Sequence, residues 1–283
     1  MKLPFVFAKR FVAAETFKET VPKIKAINKK GIKVTLDLLG ENVTSQSTAD
    51  ETVDTYIGLL NKINKAGLSS TISVKLTMMG LDIDADYCKK NLFRLLDEAK
   101  KLNTFVRIDM EGSAYTQETI DIFKEAHQKY SPHVGIVIQA YLHRTKEDIE
   151  DLAKIDADIR LCKGAYKEPD LIALQNMADI REAFKEYAST LLSKTSRPRI
   201  ATHDDELVNW TKQYAGENKI PKDRFEFQML YGLREETMEE LVAQGYSARI
   251  YVPYGTMWFP YFKRRLMERK ENIWFVLSTM FKK

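Results

Sequence analysis

Apolar and polar positions along the chain change period repeatedly. Short runs rich in valine, isoleucine and leucine alternate with longer stretches in which apolar residues return every three or four positions. Runs of the first kind read as strands buried on both faces, and stretches of the second kind as amphipathic helices. Their regular alternation is the pattern of parallel strands joined by helical crossovers. Strands are expected over 32–38, 71–76, 104–110, 134–139, 158–163, 199–202, 225–230 and 248–252. Helices are expected over 49–66, 84–102, 117–130, 146–155, 170–192, 204–214, 235–244 and 261–269, with one more over 11–29 ahead of the first strand. Asp50 stands as a start signal for the helix after the first strand, Thr145 and Asp148 have capping-box spacing, and Pro260 is placed to open the last helix.

Eight strand–helix units in 283 residues fit a (βα)8 TIM barrel, whose usual length is about 250 residues. An open, doubly wound sheet would want a glycine-rich turn after its first strand. The first strand instead runs into Asp37-Leu38-Leu39-Gly40-Glu41, and no GxGxxG occurs in the chain. One α/β domain over 1–283 is therefore expected: an N-terminal helical segment 1–31, a distorted barrel 32–271, and a short apolar tail 272–283 docked on it.

Composition narrows the class of protein. The chain is 44% hydrophobic and 30% charged, in the range of globular proteins rather than disordered or membrane-spanning ones. Its 44 Lys+Arg against 40 Asp+Glu leave a net charge of +4, too small and scattered for a nucleic-acid footprint. Two cysteines, Cys88 and Cys162, make no disulfide framework, and the N-terminus lacks a signal-peptide layout, so a cytoplasmic setting is expected. The four histidines show no HxxxH or HxH spacing and there is no GxSxG, which argues against a metal-assisted hydrolase or a nucleophile elbow.

Chemistry enters where polar residues interrupt the strand ends, because a barrel builds its active site at the carboxyl ends of its strands. Lys75, Arg107, Asp109, Gln139, Arg160, Lys163, Thr202, His203, Glu226, Gln228, Tyr251 and Tyr254 are the polar residues that interrupt the strands and are expected toward such ends. Buried charges cost several kcal/mol each unless paired, so a ring of them points to function, with core salt bridges such as Lys75–Asp109 as the plain alternative. Arg160-Leu161-Cys162-Lys163-Gly164-Ala165-Tyr166 sets two cations before a turn where backbone can approach an anion. Arg264-Arg265, just past the last strand, could fork onto a carboxylate, or Arg264 could simply pair with Glu268 on the helix surface. Strand-end lysines leave a Schiff-base aldolase open, a basic dinucleotide groove leaves a flavin site open, and a non-catalytic flavin or amino-acid sensor is a third reading.

These residues also resemble those of a known family. The segments Val34–Asp37 with Gly40-Glu41, Ser73–Thr77, Arg107–Glu111, Gln139–Tyr141, Arg160–Tyr166, Ala201–His203, Glu226–Gly232, Arg249–Gly255, Tyr261–Leu266 and Glu268 are similar, in order, to those of bacterial-type monofunctional proline dehydrogenases. They also resemble the proline dehydrogenase barrel of the larger proline-utilisation proteins. The resemblance implies oxidation of L-proline to Δ1-pyrroline-5-carboxylate on FAD, with hydride passing to flavin N5. Arg264, Arg265 and Lys75 would clamp the proline carboxylate. Tyr166, Tyr251 and Tyr261 would wall its ring, and Asp109 would hold the lysine and the pocket. Arg160 and Gln139 would meet the flavin ring, with Lys163, Gly164, Ala165, Thr202 and His203 along the rest of the cofactor. Lys75, Asp109 and Arg160 are thus the expected catalytic set, and Glu268 would orient the arginines. Electrons would pass to a quinone-type membrane acceptor, which would make the otherwise cytoplasmic protein peripheral at the inner membrane surface. A separate Δ1-pyrroline-5-carboxylate dehydrogenase would take the product.

Overall fold

A computed structural model of the chain describes residues 5–268, with side chains described through residue 265. The chain enters through α1 (Phe17–Lys29) and then alternates: β1 (Lys33–Leu38), α2 (Gln46–Lys65), β2 (Ser70–Val74), α3 (Ala85–Lys101), β3 (Val106–Ile108), α4 (Thr116–Tyr130), β4 (Val134–Gln139), α5 (Thr145–Lys154), β5 (Ile159–Cys162), α6 (Met177–Lys194), β6 (Arg199–Ala201), α7 (Asp205–Glu217), β7 (Glu226–Leu230), α8 (Glu235–Ala243), β8 (Ser247–Tyr254) and α9 (Trp258–Glu268). Each strand lies parallel to the next and β8 pairs back onto β1, closing a (βα)8 barrel.

The period of two along the strands sorts side chains to two sides. One set, including Val34, Leu36, Ile72, Val74, Ile108, Ile136, Leu161 and Ile250, is buried in a continuous apolar layer with the surrounding helices. The other set turns into the lumen. Barrel interiors are ordinarily filled with branched aliphatic residues, but here the lumen is crossed by hydrogen bonds from Arg160 on β5 to Ser73 on β2 and from Arg249 on β8 to Thr71 on β2. The apolar layer holds the barrel together, while the lumen is a charged column running from one mouth to the other.

Several helix starts differ from those expected, for local reasons. Ser45 caps α2 by accepting the Thr48 amide at 3.2 Å, which puts Asp50 inside the helix. Thr145 is the first residue of α5 rather than its cap, and its hydroxyl donates to the Gln139 carbonyl at 2.5 Å, so no capping box forms. Helix α6 begins at Met177, not 170. The preceding segment is held against the β4–α5 loop through the His143 and Leu174 amides, bonded to the Ile172 and Tyr141 carbonyls at 3.0 and 2.8 Å. Likewise α1 begins at Phe17, capped by Thr16, because residues 13 and 14 hydrogen-bond along the end of β8. Pro260 falls in the first turn of α9, where its missing amide hydrogen is no loss. The tail expected over 272–283 lies outside the described residues.

Candidate active site

The carboxyl ends of the strands gather most of the expected residues around one mouth; Arg107 and Glu226 are corrected, since they pair with Asp158 and Arg249 at the amino ends instead. Asp109 follows β3 and is the hub. Its Oδ1 accepts from Arg160 NH1 at 2.8 Å and from Ser73 Oγ at 2.9 Å, and its Oδ2 accepts from the Tyr251 hydroxyl at 2.8 Å. The Arg160 guanidinium also lies over the Tyr251 ring, 5.4 Å from its centroid. Arginine on β5, aspartate after β3 and a half-buried tyrosine on β8 thus form one unit spanning the lumen.

Lys75 is nearly fully buried and donates to Asp37 Oδ1 at 2.9 Å. Burial works against its ammonium, but the charges of Asp37 and Asp109 outweigh it and hold the pKa above the usual lysine value. Asp37 is pushed the other way: burial raises its carboxyl pKa against the pull of Lys75. The expected Lys75–Asp109 pair is therefore corrected, since the lysine's hydrogen-bonded partner is Asp37 and Asp109 acts on it only through its charge.

Arg264 on α9 grips Glu41, in the loop after β1, with both arms of its fork: NH1 to Oε2 at 2.9 Å and NH2 to Oε1 at 2.5 Å. Burial opposes the Arg264 charge, and the bond and charge of Glu41 more than restore it, leaving its pKa raised. This is the bidentate carboxylate geometry that arginine favours, with Glu41 in place of the Glu268 considered from the sequence; the side chain of Glu268 lies outside the described residues. The Arg265 guanidinium covers the buried Tyr261 ring at 5.4 Å from its centroid. Tyr166 shares this electrostatic neighbourhood. Burial raises its pKa, as do Glu41 and Glu111, against Lys75 and Arg264.

A second group lies beyond β5 and β6. Lys163 Nζ pairs with Asp204 Oδ2 at 3.0 Å, and Arg181 Nε reaches the same oxygen at 2.9 Å. Gly164 has φ of +125°, and a Cβ there would stand 2.3 Å from the Tyr141 ring, so only glycine fits the turn. The Ala165 amide donates to Gln139 Oε1 at 3.4 Å while Gln139 Nε2 donates to the Glu111 carbonyl at 3.0 Å, tying the end of β4 to both neighbouring loops. Thr202 Oγ1 accepts the Asp204 amide at 3.1 Å. His203 Nε2 accepts the Leu230 amide at 2.8 Å, which requires that nitrogen to be unprotonated and puts the proton of a neutral ring on Nδ1.

The carboxylate partners were the residues that sequence reasoning missed. Asp37, Glu41 and Asp204 each hold one of the cations singled out above, and Glu111 is buried where it accepts the Thr77 hydroxyl at 2.6 Å. The available signal was their position, since Asp37 ends the first strand and Glu41 follows Gly40 directly after it. Among the described residues there is no cluster of His, Cys, Asp and Glu able to hold a metal, and no helix long and apolar enough to cross a membrane.

Comparison with known proteins gives one consistent likeness. The sequence model of the family described as proline dehydrogenase matches residues 20–277. The chain is 43% identical over 278 residues to Proline dehydrogenase 2 of Bacillus subtilis strain 168, covering 98% of this chain and 91% of that protein. It is 35% identical over 279 residues to Proline dehydrogenase of Deinococcus radiodurans, covering 97% and 90% respectively. Among solved structures, proline utilization A from Bdellovibrio bacteriovorus, inactivated by N-propargylglycine, superposes with a TM-score of 0.87 at 27% identity. That match takes in 93% of this chain and 33% of the larger one, so this chain spans about a third of that protein.

Proposed function

The chain belongs to the proline dehydrogenase family, and it oxidises proline in the first step of proline catabolism; we propose that it does so on FAD, in the mouth organised by Asp109, Lys75 and Arg264. The observation that carries the substrate assignment is the fork of Arg264 on Glu41. Glu41 occupies both arms of that fork, and the carboxylate of L-proline would replace it in the same two-point geometry. Arg265 and Lys75 would complete the clamp, and the rings of Tyr166, Tyr251 and Tyr261 would wall the pyrrolidine.

The residues present fit a flavin dinucleotide. Arg160 Nε is buried with no acceptor among the described residues, and the bare backbone at Gly164 follows Lys163, giving a cationic turn suited to a pyrophosphate. Arg160 and Gln139 would meet the flavin ring, while Lys163, Gly164, Ala165, Thr202 and His203 would hold the remainder. When bound, the flavin supplies the acceptor for the hydride leaving the carbon next to the proline nitrogen.

The protein's own part is placement and charge. Asp109 fixes the Arg160 guanidinium and the Tyr251 hydroxyl, so neither has to reorganise when charge develops beside them. Clamping the carboxylate at the far side of the ring fixes which ring carbon faces the cofactor, which is the orientation that makes transfer effectively unimolecular. The product is Δ1-pyrroline-5-carboxylate, the electrons pass on to a quinone-type acceptor, and a separate dehydrogenase takes the second oxidation step.

At Lys75 the Schiff-base alternative gains no support. A nucleophilic lysine needs a lowered pKa, whereas that of Lys75 is raised by Asp37 and Asp109 against its burial. Purified protein should be yellow, and L-proline should bleach its flavin absorbance. A colourless protein that takes up no FAD would overturn the assignment, and flavin that proline leaves oxidised would turn it into a sensor.

A further inference from the structure

The opposite end of the barrel carries a cavity that the reaction does not use. It has a volume of about 390 Å³ and lies among the amino ends of the strands, between Ser70 and Thr71 on β2, Phe105 before β3 and Glu226 on β7. That volume is at the small end of the range of ligand pockets, about 300–1,000 Å³. Its walls carry Arg107, Arg160, Arg197, Arg199 and Arg249 against a single carboxylate, Glu226.

The carboxylates nearby are already engaged. Asp158 takes Arg107 on one side and Arg199, at 2.7 Å, on the other. Glu226 takes Arg249 at 2.7 Å and has Arg199 NH1 at 3.6 Å and Lys33 at 3.7 Å. Arg160 sends NH1 to Asp109 in the active site. Arg197, at the exposed rim, makes no hydrogen bond or ion pair among the described residues. Arg107 Nε is buried without an acceptor, and Gln228 Oε1 is buried without a donor. Burial, against the pull of Asp158, together with the like charges of Arg160 and Arg199 draws Arg107 down to about 10. Positive charge is in excess here, and desolvated cations need a counter-charge.

We propose that this cavity is an anion site, distinct from the active site, that takes a small multivalent oxyanion of the phosphate or polycarboxylate type. Guanidinium forks suit both, since each presents paired oxygens in a plane. Arg197 is an exposed residue of the cavity wall, with Ser69 and Asn103, and carries none of the barrel's own ion pairs among the described residues.

The test uses flavin-loaded protein, so that the cofactor already fills the cationic turn at Gly164. Inorganic phosphate, pyrophosphate and citrate are titrated calorimetrically at ionic strength matched with sodium chloride, because general screening would otherwise mimic binding. At least one should bind saturably with one-to-one stoichiometry. Arg197→Ala should weaken that binding about fivefold or more, and Arg197→Glu further, an effect on the order of 1 kcal/mol per fivefold step. Flavin content and proline kinetics should be unchanged in both variants. Tighter binding of pyrophosphate identifies a phosphate-type ligand, and tighter binding of citrate a polycarboxylate. No saturable binding of any of the three, or binding equal in wild type and both variants, overturns the proposal and leaves the arginines as barrel-closing ion pairs. Bleaching by proline is read separately, so failure here leaves the catalytic assignment standing.

Discussion

Arg160 and Asp109 meet inside the barrel, with NH1 of the arginine 2.8 Å from Oδ1 of the aspartate and the Tyr251 hydroxyl 2.8 Å from the other oxygen. A single carboxylate thereby positions the cation of one strand and the phenol of another.

Replacing that carboxylate should be costly in a specific way. Asp109→Ala leaves the buried Arg160 guanidinium without its counter-charge, a loss typically of about 3–5 kcal/mol. Tyr251→Phe removes one hydrogen bond to a charged group, about 1.5–3 kcal/mol. We expect denaturant unfolding to show the larger loss for Asp109→Ala, and steady-state kinetics to show reduced kcat/KM in both. Equal stabilities of Asp109→Ala and wild type would refute the hub role.

The carboxylate clamp predicts a split between kinetic constants. Arg264→Ala should raise KM for proline by about thirtyfold to a few thousandfold, the equivalent of 2–5 kcal/mol. Arg264→Lys should restore little, because an ammonium has no two-point fork to offer. Flavin absorbance should be unchanged in both, since Arg264 is assigned to the substrate carboxylate and not to the cofactor. Unaltered proline kinetics in both variants would refute the clamp.

Stability should fall in acid, and the floor of the barrel supplies part of the reason. Burial opposes the charge of Glu226, but Arg249 and Arg199 outweigh it and hold the pKa far below the usual glutamate value; Asp158 is likewise lowered, against burial, by Arg107 and Arg199. Depressed folded-state values mean that the unfolded chain binds more protons in acid. The stabilisation is complete above about pH 5 and drains away as the pH falls below about 4, where the unfolded carboxyls titrate, toward the folded values. Urea unfolding between pH 3 and 7 should trace this decline, and Glu226→Gln should flatten it while lowering stability at pH 7 by about 3–5 kcal/mol.

Neither thiol should react in the folded protein. Cys88 is fully buried, and burial pushes Cys162 up to about 12 although its side chain is only partly covered. The thiolate is the reactive species, so Cys162 is protected by protonation rather than by access. A disulfide reagent at pH 8 should titrate both thiols only after denaturant is added. Rapid native labelling of Cys162 would contradict that environment.

The order of the elements was legible in the sequence because periodicity is local. Residues 71–76 and 134–139 show their strand character in their own composition, and the apolar set that packs on the helices can be counted off at every second position. The strand-end cations were legible for a related reason: Lys75, Arg160 and Lys163 interrupt apolar runs where a charge would be expensive unless it had work or a partner. Helix starts were read less well. Asp50 and Thr145 are good capping residues, but Ser45 stood one turn earlier for α2, and tertiary contact gave the Thr145 hydroxyl to the Gln139 carbonyl.

What the sequence by itself determined is therefore the alternation of strand and helix, the two-sided sorting of each strand and the presence of a charged set at strand ends. Only the tertiary structure decided which carboxylate each cation receives. Asp37 reaches Lys75 across 38 positions, Asp109 reaches Tyr251 across 142, and Glu41 reaches Arg264 across 223. Those pairings come into being when β8 closes onto β1 and the mouth of the ring draws together residues from both ends of the chain. The same closure concentrates arginines at the floor, where the linear sequence shows only scattered single charges, because a barrel brings every second residue of all its strands to one narrow axis.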